Sequence, residues 1–207
     1  MIPAHICERD WEGETAVLVA SGPSAASLDP AAIKGCKRIA VMHGYRALPW
    51  ADVLIASGRL FFKNNDVRSY PCDHIVITRR EPNWNWLPYR DPRMVYMERG
   101  APTGLSEDPA VLAGSETSVM LAINYVVLRG VKKVVLLGCD GAPGPNGQRR
   151  VGRPERDTHD ARARYQRQER MMATQIPHLK RLGVEIVNAS PGTHLSVYPR
   201  AELAAVL

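Results

Sequence analysis

The sequence predicts one α/β domain over residues 1–207, built on a mostly parallel, doubly wound, Rossmann-like sheet with helices on both faces. Short apolar runs rich in β-branched residues alternate with helical segments along the chain, as they do in parallel sheets. Between Thr117 and Asp140 a helix, a glycine and a buried strand follow one another directly, which is half of a βαβ unit. The length of 207 residues favours a single domain with a sizeable core.

The predicted strands are apolar runs too short for helices, at residues 16–20, 38–41, 53–56, 74–78, 94–97, 134–137 and 185–188. The predicted helices cover residues 29–34, 118–129 and 160–182, with a further short one near Leu60. Ser118 begins the second of these helices and Gly130 ends it. Residues 79–109 are rich in Pro, Trp and Asn, and we expect them to form an irregular insertion that closes a pocket.

Two of the predicted strands end at candidate binding residues. Strand 134–137 runs into Gly138 and Asp140. Strand 16–20 runs into a turn whose backbone amides are suited to hold a phosphate, formed by Ser21, Gly22, Pro23 and Ser24. Ligands of open parallel sheets bind beyond the carboxyl ends of the strands, so both turns are predicted to contact a nucleotide. The first turn matches neither a GxGxxG nor a Walker sequence, and a simple strand-to-turn corner is the alternative.

An arginine-rich segment lies between residues 149 and 170, with eight arginines and no lysine in a chain of formal net charge +6. Arginine binds phosphate and carboxylate groups through paired hydrogen bonds, so this segment predicts an anionic ligand. Acidic residues in the same segment leave open a surface helix whose charges pair with one another.

Several histidines and aromatic residues each have a functional and a structural interpretation. His43 follows strand 38–41 and either contacts a base at the ligand edge or ends the strand. Trp84, Trp86 and Tyr89 lie in the predicted insertion and either stack on a base or sugar or anchor the loop to the core. His194, in the loop after the last strand, is a second candidate acid or base.

The composition is that of a globular protein, with 45% hydrophobic and 23% charged residues. No apolar run reaches the roughly 18 to 20 residues of a membrane span, and the N-terminus is too polar for a signal peptide, so we expect a cytoplasmic protein without a membrane partner. The four cysteines are scattered without metal-ligand spacing. With no HExxH or DxD pair either, neither a metal nor a cofactor is expected.

Three features together carry a family resemblance: the Gly22-Pro23-Ser24 turn, the Thr117-Ser118 helix start, and the strand that ends in Gly138-Cys139-Asp140. They resemble the family 42 sialyltransferases. With segments 45–53 (YRALPWADV) and 188–200 (NASPGTHLSVYPR), they are also similar to the 6-hydroxymethylpterin diphosphokinase-like proteins of the phage type. The resemblance covers most of the chain and implies a nucleotide-binding transferase.

The resemblance also implies roles for individual residues. The first turn would approach the nucleotide phosphate or ribose, Thr117 and Ser118 would lie in the donor pocket, and Asp140 would hold the nucleotide or orient a neighbour. His159, just before the last long helix, is implied to be the general base, and an imidazole can take a proton from a hydroxyl at neutral pH. The tyrosines that grip the donor phosphate in the sialyltransferases have no counterpart just after Asp140. Their predicted replacements are Arg149, Arg150 and Arg153.

The predicted function is therefore a metal-independent glycosyltransferase that takes its sugar from a nucleotide-sugar donor. A hydroxymethylated base in phage DNA is the predicted acceptor, contacted by Trp84, Trp86, Arg162, Arg164 and Arg167, which would place the protein in the host cytoplasm. One alternative is a diphosphokinase that moves diphosphate from ATP to a hydroxymethyl group and needs Mg²⁺ and several carboxylates. Another is a non-catalytic nucleic-acid-binding protein. The sequence leaves the oligomeric state open.

Overall fold

A computed structural model of the chain describes residues 4–79, 87–144, 147–151, 153–156 and 161–207. The strands in these ranges are β1 (Thr15–Val19), β2 (Lys37–Val41), β3 (Ala51–Ile55), β4 (Cys72–Arg79), β5 (Met94–Arg99), β6 (Val111–Leu112), β7 (Lys133–Leu137), β8 (Gln148–Arg150), β9 (Arg153–Arg156) and β10 (Glu185–Asn188). The α-helices are α1 (Arg59–Asn64), α2 (Ser118–Leu128), α3 (Ala161–Ala173), α4 (Ile176–Leu182) and α5 (Leu203–Val206). Short 3-10 helices cover Pro23–Ser27, Pro30–Ile33 and Met42–Arg46.

The main sheet has eight strands in the order β10-β7-β1-β2-β3-β4-β5-β6, and every neighbouring pair is parallel. From β1 the chain winds outward in one direction to β6, then returns to place β7 on the other side of β1. The topological switch point of this doubly wound sheet therefore lies between β1 and β7, where ligands of such folds bind. The remaining strands, β8 and β9, form a separate antiparallel hairpin.

Two hydrophobic cores lie on the two faces of the sheet, because successive side chains of a strand point to opposite faces. On β1, Ala16 and Leu18 join the core that α2, α3 and α4 cover. Val17 and Val19 join the other core, which is covered by the 3-10 helices, α1 and α5. These two covered faces confirm the predicted fold class, and they explain why the central strands are apolar throughout.

Helix α2 crosses the sheet beside the switch point and is almost wholly buried. The Thr117 side chain caps it by accepting a hydrogen bond from Met120 N at 3.2 Å. The helix ends before Gly130, whose φ of 96° lies in the region that favours glycine. The predicted start at Ser118 and the predicted stop are both confirmed.

The other predicted strands and helices are present, but one helix differs in type and another is divided in two. All of the predicted strands are present, and residues 29–34 form a 3-10 helix rather than an α-helix. The predicted helix 160–182 is two helices, α3 and α4, because the chain turns at Thr174 and Gln175, and the buried Gln175 amide donates to Gly104 O at 3.1 Å. Among the described residues no helix is long and apolar enough to span a membrane.

The segment 79–109, predicted to be an irregular insertion, contains the complete strand β5. Tyr89 in this segment anchors the chain, since its hydroxyl donates to Asn65 O at 3.0 Å and accepts from Val67 N at 3.1 Å. The structural interpretation of Tyr89 therefore holds. Trp84 and Trp86 lie outside the described residues.

Candidate functional site

The turns after β1 and β7 meet at the switch point and are bonded to each other. Gly22 N donates to Gly138 O at 2.8 Å. Ser24 N donates to Asp140 Oδ2 at 2.9 Å, and the Ser24 hydroxyl donates to Asp140 Oδ1. The two strand ends that the sequence singled out therefore lie in direct contact, with the Asp140 carboxylate between them.

Gly22 is needed at this point for packing between the two turns. A Cβ at Gly22 would lie 2.4 Å from Gly138 O and 2.7 Å from Asp140 Cγ, closer than real Cβ atoms approach such groups. The missing side chain makes room for the turn that carries Asp140. Gly22 also lines a cavity, and its close approach to a ligand stays a prediction.

Asp140 is a partly buried carboxylate with a raised pKa. Burial is the main cause of the higher pKa, because a low-dielectric environment disfavours the charged form. The hydrogen bonds from Ser24 and the charge of His194 act in the opposite direction and lower that pKa. Aspartate in such an environment is suited to accept a proton or to hold a ligand hydroxyl.

A polar network from the loop after β10 fixes the peptide that carries Asp140. The buried Thr193 hydroxyl donates to Cys139 O at 2.7 Å, Asn188 Nδ2 donates to the same carbonyl at 3.0 Å, and Cys139 N donates to Ser190 Oγ at 2.8 Å. His194 N donates to Asp140 O at 2.7 Å. Sequence reasoning missed this network. Its signal was the polar segment 188–194 directly after a strand that reaches the ligand edge.

A cavity of about 300 Å³ opens above the switch point, on the α2 side of Asp140. We call it the first cavity. Among the predicted donor-binding or catalytic residues, those that line it are Ser21, Gly22, Thr117, Ser118, Gly138, Asp140, Arg149 and Arg150. Sequence reasoning did not single out four other side chains that line it: Glu116, Tyr165, Gln168 and Met172.

The N-terminus of α2 forms one wall of the first cavity. Thr117, Ser118 and Val119 line this wall, so the positive end of the helix dipole is directed at the cavity. Ser118 Oγ lies 3.1 Å from Ser57 Oγ, at the end of β3. Met42, at the end of β2, lines the cavity with a φ of 52°, a backbone conformation that is unusual away from glycine.

Arginines from two separate segments reach the first cavity. Arg149 and Arg150 come from β8, and the hairpin is fixed to the site because Val151 N donates to Ser21 O at 2.8 Å. Arg164 comes from α3 and lies 4.8 Å from the Tyr165 ring centre, measured from its guanidinium carbon. Three guanidinium groups around one cavity suit an anionic ligand.

Five of the other predicted site residues do not line the first cavity: Pro23, Ser24, His43, Arg162 and Arg167. Pro23 and Ser24 line a different cavity, and His43 is only 4% exposed and packs against the Phe61 ring at 5.3 Å. Arg162 is exposed, and Arg167 pairs with Glu116 at 2.9 Å. His159 lies outside the described residues. Arg153 lies on β9.

A larger cavity of about 680 Å³, which we call the second cavity, also has Asp140 in its lining. Its polar lining consists of Ser24, Ser27, Asp140, Gln148 and His194. Pro23, Pro143 and Pro191 supply apolar walls. Asp140 and Ala142 line both cavities.

Among the residues that the structure describes, no three His, Cys, Asp or Glu side chains are grouped so that they could hold a metal ion.

No protein-family model matches the chain, and no curated protein matches its sequence. Among solved structures, the MAf glycosyltransferase from Magnetospirillum magneticum AMB-1 is similar, with a TM-score of 0.62 and 12% identity. The match covers 99% of this chain and 36% of that one, so the chain spans little more than a third of that protein's length. At this identity the likeness shows a shared fold.

Proposed function

We propose that this chain is a glycosyltransferase that takes a sugar from a nucleotide-sugar donor. The observation that carries the proposal is the first cavity, where a helix N-terminus, three arginines and the Asp140 carboxylate surround a space at the switch point. The similar MAf protein is itself a glycosyltransferase, which supports a transferase of this kind.

The donor diphosphate fits between α2 and the arginines. Backbone N–H groups at the start of α2 and the Arg149, Arg150 and Arg164 guanidiniums would hold its negative charge. Arg164, predicted from the sequence as an acceptor contact, thus becomes a donor contact in this proposal. The Ser118 hydroxyl would hydrogen-bond the nucleotide or its sugar.

The reaction needs positioning, charge stabilisation and one proton acceptor. The acceptor hydroxyl oxygen attacks the anomeric carbon of the donor, and the bond from that carbon to the phosphate oxygen breaks with its electron pair on the phosphate. The arginines would stabilise the resulting charge. The hydroxyl proton goes to a general base, either His159, as the resemblance implies, or Asp140.

Binding measurements with nucleotides test this proposal. A thermal-shift screen should compare nucleoside diphosphates, nucleotide sugars and ATP, each with and without Mg²⁺. A ligand at a hundred times its Kd stabilises the folded state by about 2.7 kcal/mol, which is readily measured. We expect a shift with a nucleotide sugar and its nucleoside diphosphate that does not require Mg²⁺. A shift with ATP and Mg²⁺ alone would favour the diphosphokinase instead.

DNA as the acceptor remains a separate prediction. Of the three arginines predicted to contact DNA, Arg164 lines the first cavity, Arg167 pairs with Glu116, and Arg162 is exposed. A salt titration of duplex binding tests it, because each phosphate contact adds about −0.9 to the log–log slope. An affinity that is flat from low to physiological salt would remove DNA both as acceptor and as the ligand of a non-catalytic protein.

A further inference from the structure

We propose that the second cavity is the acceptor subsite and that it takes a neutral, hydroxyl-rich small molecule, a carbohydrate of one or two rings. This inference rests on the proposed glycosyl transfer and adds the class of acceptor. Its basis is the position of one carboxylate that lines both cavities, so that a donor in one and an acceptor in the other would meet at Asp140.

The geometry of the wall between the cavities supports this assignment. The Asp140 carboxylate accepts hydrogen bonds from Ser24, which lines the second cavity, and the Asp140 carbonyl accepts from the Thr193 hydroxyl and from His194 N. Each carboxylate oxygen accepts one hydrogen bond from Ser24 and keeps a lone pair for a further partner. A group fixed in this way can face an acceptor hydroxyl without rearrangement.

The chemistry of the lining favours a carbohydrate over a polyanion. The described residues around the second cavity include hydroxyl, amide, imidazole and carboxylate groups but neither arginine nor lysine. A phosphate there would face the Asp140 charge without a guanidinium or ammonium partner. Sugar rings offer alternating hydroxyl edges and C–H faces, which match the polar groups and the rings of Pro23, Pro143 and Pro191. The volume of about 680 Å³ lies within the usual range for small-molecule sites.

The reaction that follows from this arrangement is a displacement at the anomeric carbon of the donor. A hydroxyl of the sugar in the second cavity attacks the anomeric carbon of the donor in the first cavity, and its proton passes to the Asp140 carboxylate. The bond between the anomeric carbon and the diphosphate breaks, and the diphosphate leaves with the electron pair toward the arginines. The products are a glycoside, a nucleoside diphosphate and a proton that Asp140 returns to solvent.

The test uses two tryptophan variants on the 3-10 helix Pro23–Ser27. Ser27 is exposed and lines the second cavity, whereas its exposed neighbour Ala26 does not line it. The Ser27→Trp side chain should fill part of the cavity, and Ala26→Trp is the matched control. The probes are the methyl glycosides of glucose, galactose and N-acetylglucosamine at millimolar concentration, followed by saturation-transfer NMR, and a nucleoside diphosphate followed by calorimetry.

We expect the wild-type and Ala26→Trp proteins to bind at least one methyl glycoside and Ser27→Trp to lose that binding at least tenfold. Nucleoside diphosphate affinity should agree within twofold among the three proteins. The inference is overturned if no glycoside binds the wild type, if Ser27→Trp binds it as well as Ala26→Trp does, or if the nucleoside diphosphate displaces it. A wild-type protein that binds no nucleoside diphosphate would instead contradict the proposed donor. Glycoside binding is measured separately, so the two failures can be told apart.

Discussion

Ser24 donates two hydrogen bonds to the carboxylate of Asp140, although the two residues are 116 positions apart in the chain. The backbone N–H reaches Oδ2 and the hydroxyl reaches Oδ1. This pair joins the turn after β1 to the turn after β7. The two turns are neighbours because the chain, after β6, returns to place β7 on the other side of β1. The contact thus places the Asp140 carboxylate at the switch point, where doubly wound sheets leave a crevice for a ligand.

Gly22→Ala should destabilise the protein, because the new Cβ would collide with Gly138 O and the Asp140 carboxylate. We expect a loss of about 1–3 kcal/mol in the free energy of unfolding, typical of overpacking. Gly35→Ala is the matched control, since no atom beyond its own chain neighbours lies within 4 Å of the Cβ it would add. Urea denaturation of both variants measures the difference. Equal stability of the two would contradict the close packing of these turns.

Asp140→Asn should retain the fold, because the asparagine amide can still accept from Ser24 N and donate to Ser24 Oγ. Burial raises the pKa of Asp140, so between its ordinary pKa and the raised value the folded protein holds more protons than the unfolded one. The free energy of unfolding therefore falls as the pH rises through that interval. We expect Asp140→Asn to be at least as stable as the wild type at pH 7 and to lose this advantage in acid, while sugar transfer falls at least 10²-fold.

Glu169→Gln is the control of opposite sign for this pH dependence. Backbone and hydroxyl hydrogen bonds from Ser196 hold the pKa of Glu169 below its usual value, and Ser196 N lies 2.6 Å from its Oε1. Its contribution is present above the ordinary pKa and is lost as the pH falls through the lowered one. Glu169→Gln should therefore reduce stability at pH 7. Thermal unfolding of the wild type and both variants from pH 3 to 8 tests this difference. The prediction fails if the two substitutions change the stability at pH 7 in the same direction.

Arg164→Ala should weaken nucleoside diphosphate binding about tenfold, since a charge-assisted hydrogen bond contributes roughly 1.5–3 kcal/mol. Arg162→Ala provides a control on the same helix, because Arg162 is exposed and does not line the first cavity. We expect its affinity to stay within twofold of the wild type. Isothermal titration calorimetry distinguishes the two, and equal losses would place the phosphate outside the first cavity.

Thr193→Val should lower the free energy of unfolding by about 1–3 kcal/mol, because it leaves buried polar groups without their hydrogen-bond partner. The Thr193 hydroxyl donates to Cys139 O, accepts from Asn188 Nδ2 at 3.0 Å and accepts from Leu195 N at 3.2 Å. Thr193→Ser keeps the hydroxyl and should recover most of the loss. Chemical denaturation measures the stability of both, and a valine variant as stable as the serine variant would contradict the role assigned to the hydroxyl.

The strands could be predicted from the sequence because burial on both faces makes each of them a short continuous apolar run. The β8–β9 hairpin had no such apolar run, since its sequence is rich in arginine and its residues Arg149 and Arg150 line the first cavity rather than a core. The break before α4 depends on contacts of Gln175 with residues far away in the chain. Pro177, at the start of α4, was the local sign of a new helix.

The candidate site could be predicted only in part. The edge positions of Asp140 and Ser118 followed from strand and helix ends, because sheet topology alone brings such ends together. The partnership of Thr193 with Cys139 could not be predicted, since it depends on where two distant loops cross. The sequence also gave no means to separate Arg164, which lines the first cavity, from Arg162 on the same helix.

The network that holds Cys139 and Asp140 has a consequence for the order in which the molecule matures during synthesis. Strand β1 and its partner β2 leave the ribosome well before the loop 188–195 that fixes the Asp140 peptide. Contacts between such distant segments form slowly, because the long intervening chain must first be closed. We therefore expect a nascent chain stalled before residue 188 to contain its early strands and to lack a competent site.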